Sequence, residues 1–114
     1  MLTRTTPLLL AIGALSACAG VQLPKEQLTE PNQLMFNGYL RPEVDCWRCH
    51  NGDGKGSGHG PSLVRRVARL SEPKVARVIR EGDGVMPDFK KVLSEEEILA
   101  MARWLKSTFP AQPR

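Results

Sequence analysis

The sequence predicts an all-α fold, a small domain of three to four short helices wrapped around one covalently bound prosthetic group. Three observations lead there. Apolar residues recur at helical spacing in the second half of the chain, as Val75, Val78 and Ile79 and again as Ile98, Met101, Ala102 and Leu105. Helix-start residues precede both stripes, Ser71 before the first and Ser94 before the second. Upstream lies Cys46-Trp47-Arg48-Cys49-His50, two cysteines three positions apart with a histidine directly after. That pattern is a c-type haem attachment site.

The chemistry needs this spacing. Each thiol adds across a haem vinyl group to form a thioether, and His50 is then held beneath the iron as its proximal ligand. The chain has 114 residues, enough for one small domain. A core of that size is commonly stapled by a cofactor, metal or disulfide, and a covalent haem serves as such a staple. Aromatics are few, with three Phe, two Trp and one Tyr, which fits a domain whose largest apolar group is not an amino acid. All three cysteines have a use without any disulfide: Cys46 and Cys49 for haem, Cys18 for lipid.

The N-terminus reads as an export signal. Arg4 gives a positive start and Pro7 to Leu15 a short apolar run, well below the roughly 20 residues of a membrane span. The run ends in Leu15-Ser16-Ala17-Cys18, which resembles a bacterial lipobox. The expectation is a lipoprotein signal at 1–17, with Cys18 lipidated as the first mature residue. The alternative is ordinary cleavage near Ala17, giving a soluble periplasmic protein. Export and haem attachment agree, because bacterial attachment of this kind follows export. Removing Arg4 with the signal leaves 16 − 1 = 15 basic and 12 acidic side chains, net +3. Two haem propionates lower that further, so charge does not argue for nucleic-acid binding.

Residues 18–31, polar and carrying Pro24 and Pro31, read as a lipidated tether, although Leu23 or Leu28 offers a way to pack on the domain. The haem domain spans 32–110, and 111–114 form a short tail. A first helix is expected over 32–41, with Asn32 as N-cap and Leu34, Met35, Gly38 and Tyr39 on a partial apolar face; Pro42 ends or kinks it near Arg41. After His50, residues 51–61 hold five glycines in eleven positions, a loop whose length demands a function. Residues 62–70 fit one or two helical turns. Ser71-Glu72-Pro73 opens the next helix and Gly82 closes it. The loop Asp83 to Phe89 contains Met86-Pro87. Ser94-Glu95-Glu96-Glu97 is a capping box, flanked by Leu93 and Ile98 as a hydrophobic staple, and Pro110 stops the last helix near Thr108.

In these residues the chain resembles the class I cytochrome c family over 32–109. The resemblance implies a one-electron carrier with a single haem c. It places Gly38, eight residues before Cys46, where first and last helices cross at close contact, with Trp104 of the last helix against that crossing. It makes the Pro61 carbonyl the acceptor for the His50 ring, a support that fixes the tautomer, and sets Leu63 on the haem face. It makes Met86, 36 residues after His50 (86 − 50), the sixth iron ligand. Pro42 stands where the family usually has an aromatic, a role left to Phe36 or Tyr39.

The expected function is electron transfer in a bacterial respiratory or periplasmic redox chain, by a monomeric, membrane-anchored protein with redox proteins as partners and no enzymatic activity. The alternative is a haem sensor, or an electron-entry subunit of an oxidoreductase complex, in which a small ligand displaces Met86. A thiol redox protein using Cys46 and Cys49 fails on context, since no βαβ pattern surrounds them. His59 lies nine residues from His50 on the proximal side, badly placed to reach across the ring. Arg65, Arg66, Arg69, Arg77 and Arg80 form either a docking face for an acidic partner or a solvated helix face.

Overall fold

A computed structural model describes residues 19–113. The expected signal 1–17 and the lipidation candidate Cys18 lie outside the described residues. After a 3-10 turn at Lys25–Gln27 come α1 (Pro31–Phe36), α2 (Cys46–His50), α3 (Leu63–Arg69), α4 (Glu72–Glu81) and α5 (Glu95–Thr108). Two isolated bridges, Ser57 with Gly60 and Asp83 with Met86, close turns. The fold is mostly helical, as the sequence predicts. The helix count exceeds three to four because the cysteine motif itself forms a helical turn.

The last helix forms as its capping box dictates. Ser94 Oγ accepts from the Glu97 backbone N–H at 3.1 Å, and the Glu97 carboxylate accepts from the Ser94 N–H at 2.9 Å. Such a cap stabilises a helix by about 1 kcal/mol. Leu93 and Ile98 beside it are both buried. In α4, Ser71 caps the Lys74 N–H, Pro73 occupies the first turn, and Gly82 at φ +79° closes the helix with its N–H on Val78 O at 2.8 Å. The apolar face of α4 (Val75, Ala76, Ile79) meets that of α5 (Ile98, Met101, Ala102, Leu105) in the core. Each large side chain buried there stabilises the fold by about 1.5–3 kcal/mol. Lys106 ties α3 to α5 by donating to Val67 O and Leu70 O at 3.1 and 2.8 Å, a cation where the helix dipole is negative.

The first helix departs from expectation. It starts one residue earlier, capped by Glu30, whose carboxylate accepts from the Gln33 N–H at 2.9 Å. It stops at Phe36, well before Pro42. Asn37 and Gly38 end it, because Gly38 sits at φ +76°, a left-handed conformation that glycine adopts readily. Gly38 therefore does not open a helix crossing. A Cβ there would meet the Trp47 indole nitrogen at 3.1 Å. The contact between first and last helices is aromatic instead, Phe36 against Trp104 with ring centroids 5.8 Å apart and planes tilted by 55°. Phe36 thus supplies the aromatic that Pro42 displaces.

The expected tether is not free. Gly20 N donates to Arg48 O at 2.8 Å, Val21 N to Asn51 Oδ1 at 2.8 Å, and Gly52 N to Val21 O at 2.8 Å. Leu23 N donates to Asn37 Oδ1 at 2.9 Å and Tyr39 Oη to Leu23 O at 2.6 Å, while Leu28 is buried. Polar, proline-containing sequence gives no period to read, so these backbone bonds leave no pattern in it.

Candidate functional site

The single turn of α2 holds the motif by satisfying the carbonyls that so short a helix leaves without partners. Arg48 O accepts from Gly20 N, Cys49 O from Ser57 Oγ at 2.6 Å, and His50 O from Gly56 N at 2.8 Å. The glycines of 51–61 permit this wrapping. A Cβ on Gly60 would lie 2.9 Å from Cys49 O and 3.0 Å from Cys49 Cβ. Leu63 N donates to Gly54 O at 2.8 Å, which fixes the start of α3 against the loop.

A cavity of about 690 Å³ opens beside α2, within the range of ligand pockets. Cys46, Cys49 and His50 line it together with Pro61, Leu63 and Met86, so the structure brings all the site candidates within the domain to one cavity. Apolar side chains of the core, among them Phe36, Val67, Ile79, Met101 and Leu105, form much of the rest. His50 is only 8% exposed. Its Nδ1 lies 2.8 Å from Pro61 O, so the N–H belongs on Nδ1 and Nε2 keeps its lone pair. Met86 sits in a turn closed by Asp83 N on Met86 O and Met86 N on Asp83 O, both 3.1 Å. His59 is exposed at the edge of the cavity, next to Gly60 and Pro61.

The donor set fits a haem rather than a bare ion. Among the described residues no three His, Cys, Asp or Glu side chains converge on one point. His50 and Met86 would offer one imidazole and one thioether, and the macrocycle of a haem would supply the other four donors of a six-coordinate iron. The Cys46 thiol does not suit redox exchange either. Burial pushes the half-buried Cys46 thiol up to about 12, with the charges of Asp45 and Cys49 adding to it; an exchange-active cysteine is shifted downward.

Sequence reasoning missed Asn37, which is fully buried. Its Nδ2 donates to Gln33 O at 3.0 Å and Gly52 O at 3.2 Å, and its Oδ1 accepts from Leu23 N. It joins α1, the N-terminal segment and the loop after His50. It also missed Arg41, which donates to Val92 O at 2.7 Å and pairs with Glu97 at 2.7 Å. Of the five arginines weighed as a docking face, Arg66 pairs with Asp83, Arg77 with Glu81 and Arg80 with Glu95.

Covalent haem attachment in a small helical domain defines a c-type cytochrome. The chain belongs to the family described as cytochrome c oxidase, cbb3-type, subunit III, whose model matches residues 38–105. It is 33% identical over 89 residues to cytochrome c-555 of Methylococcus capsulatus, covering 76% of this chain and 67% of the relative. The c-type cytochrome XoxG from Methylobacterium extorquens AM1 aligns at 24% identity with a TM-score of 0.47, over 71% of this chain. This chain spans about half of that protein, 55% of its length. As a c-type cytochrome the protein carries haem c and transfers electrons.

Proposed function

We propose that the chain is a one-electron carrier of a bacterial respiratory or periplasmic redox chain, exported and anchored to a membrane through lipidated Cys18. In this reading Cys46 and Cys49 hold one haem c, His50 is the proximal ligand and Met86 the distal one. The haem supplies an iron that alternates between ferrous and ferric states. The chain's own residues hold and shield it. Pro61 O orients the His50 ring and fixes its tautomer, and the apolar lining with Leu63 excludes water, which tunes the potential. A fully ligated iron leaves no position for a substrate, which supports a carrier rather than an enzyme. No helix among the described residues is long and apolar enough to cross a membrane.

The observation that supports the reading is that His50, with its Nδ1 2.8 Å from Pro61 O, and Met86 line the same cavity. Optical spectra test it. The oxidised holoprotein should show the weak near-infrared sulfur-to-iron band, and the reduced protein should resist carbon monoxide. Absence of the band with ready carbon monoxide binding would refute Met86 ligation and favour a sensor. The family's description as an oxidase subunit favours a second role, electron entry into a larger complex; purification of the native protein as a free monomer argues against it.

A further inference from the structure

We infer that Gly20 to Leu23 is a strap that seats the anchored domain directly on the bilayer surface, with the outer side of α2 toward the headgroups. The inference rests on the proposed lipidation of Cys18. Covalent geometry limits the reach of the anchor: one residue, Ala19, separates Cys18 from Gly20, and the two Cα–Cα steps span at most about 7 Å. Gly20 is itself bonded to Arg48 of the haem-attachment turn. A lipid on Cys18 therefore cannot act through a leash.

The strap is built for close apposition. A Cβ on Gly20 would lie 1.9 Å from Trp47 O and 2.9 Å from Arg48 O, and one on Gly52 would lie 2.6 Å from Leu23 N and 2.7 Å from Val21 O. Only glycine at both positions lets the two backbones meet. Val21 N, Leu23 N and Leu23 O are held by Asn51, Asn37 and Tyr39, so the strap is anchored along its length.

The exposed chemistry beside it suits a lipid–water interface. Val21 is 69% exposed and the Arg48 side chain, paired with Asp45 at 3.1 Å, is 63% exposed, an apolar group on the strap and a cation on the turn it is bonded to, the kind of pairing that meets headgroups. Cys46, Cys49 and His50 line the cavity, whereas Trp47 and Arg48 do not. The cavity therefore lies on the other side of the turn from the strap, separated by roughly one helix diameter of about 10–12 Å. Seating the strap fixes the height of the cofactor above the membrane while leaving the cavity side clear.

The test uses the full-length, haem-loaded lipoprotein in phosphatidylcholine–phosphatidylglycerol vesicles bearing a fluorophore on a fraction of the headgroups. The readout is energy transfer from that fluorophore to the haem. A variant with about 24 Gly/Ser residues inserted between Ala19 and Gly20 keeps the strap but adds a coil with an r.m.s. span of about 27 Å. The expected result is strong quenching by the native protein and loss of most of it in the insertion variant. Gly20→Val should lose it too, because its side chain expels the strap; if that variant does not fold, the insertion decides alone. Equal quenching by native and insertion proteins, both carrying the diacyl group on Cys18 by mass spectrometry, overturns the seating. Absence of the diacyl group overturns the anchor reading, and the seating with it.

Discussion

Asn37→Ala should be among the most damaging single changes outside the haem ligands. Two groups lose a partner. Gly52 O is buried with Asn37 Nδ2 as its donor, and Leu23 N, partly buried, loses Oδ1. Gln33 O is less affected, because it still accepts from the Asn37 backbone N–H. An unsatisfied buried group costs about 1–3 kcal/mol. Taking about 2 for Gly52 O and about 1 for the wetter Leu23 N gives a loss of about 3 kcal/mol. That is a large share of a typical 5–15 kcal/mol total and lowers Tm by roughly 12–24 °C for a domain this small. Guanidinium titration of the holoprotein, followed by far-ultraviolet circular dichroism, measures it, with an unchanged slope marking a pure stability effect. Tyr39→Phe, which frees Leu23 O, should cost about 1 kcal/mol alone. Combined, the two should cost less than their sum, because both release the same strap. A loss below about 1 kcal/mol for Asn37→Ala, or strict additivity, would refute the idea that the segment is clamped as a unit.

Three further outcomes follow from the geometry. The Arg41 hydrogen bond, joined by the Ser94 N–H, holds the Glu97 carboxyl below the usual carboxylate range. A depressed folded value means the stabilisation is complete above the unfolded value of about 4.3 and fades as pH falls through the folded one. Stability measured by denaturation should thus decline on acidification below that point, and Glu97→Gln should flatten the decline. Gly60→Val puts a side chain into the Cys49 backbone, so the fraction of chains with covalent haem, counted by intact mass, should drop sharply. Met86→Ala should abolish the near-infrared band and let the reduced protein bind carbon monoxide.

What the sequence made legible is what acts over a few residues. The haem motif, the Ser94–Glu97 box, the Ser71 cap and the Gly82 stop each encode their partner within one helical turn. The link from His50 to Pro61 O came through family resemblance and spans only eleven residues. What stayed hidden joins distant backbone to backbone. Gly20 and Gly52 look like ordinary loop glycines until the backbone segments they let approach are seen. Asn37 reads as one more polar residue on a helix, although an Asn-Gly pair is a common way to leave one. Gly38 was misread because spacing from Cys46 identifies a position without its conformation; its φ of +76° turns the chain toward Trp47. The Arg41–Glu97 pair joins residues 56 apart, beyond any local pattern.

The two walls of the cavity are held unequally, and that asymmetry bears on function. On the α2 side, three successive carbonyls and the His50 ring all have partners, drawn from the N-terminal segment and from the 51–61 loop. On the Met86 side, the turn is closed by its own Asp83–Met86 pair, with the exposed Arg66–Asp83 ion pair at 3.5 Å and the partly buried Met86 side chain against the core, and its next backbone anchor is Phe89, buried and bonded from its N–H to Ile79 O at 3.0 Å. Between them Gly84 has open space around it and Val85 is 97% exposed. Segments with few buried contacts open at lower free energy than the core. Proximal geometry is therefore set by the fold as a whole, whereas distal geometry depends on one short loop and on the bond its methionine would make. A carrier gains from that arrangement only while the bond forms in both redox states. The loop has few buried contacts of its own, so under the proposed Met86 ligation the strength of a sulfur–iron bond, more than the packing around it, would decide whether the centre stays closed.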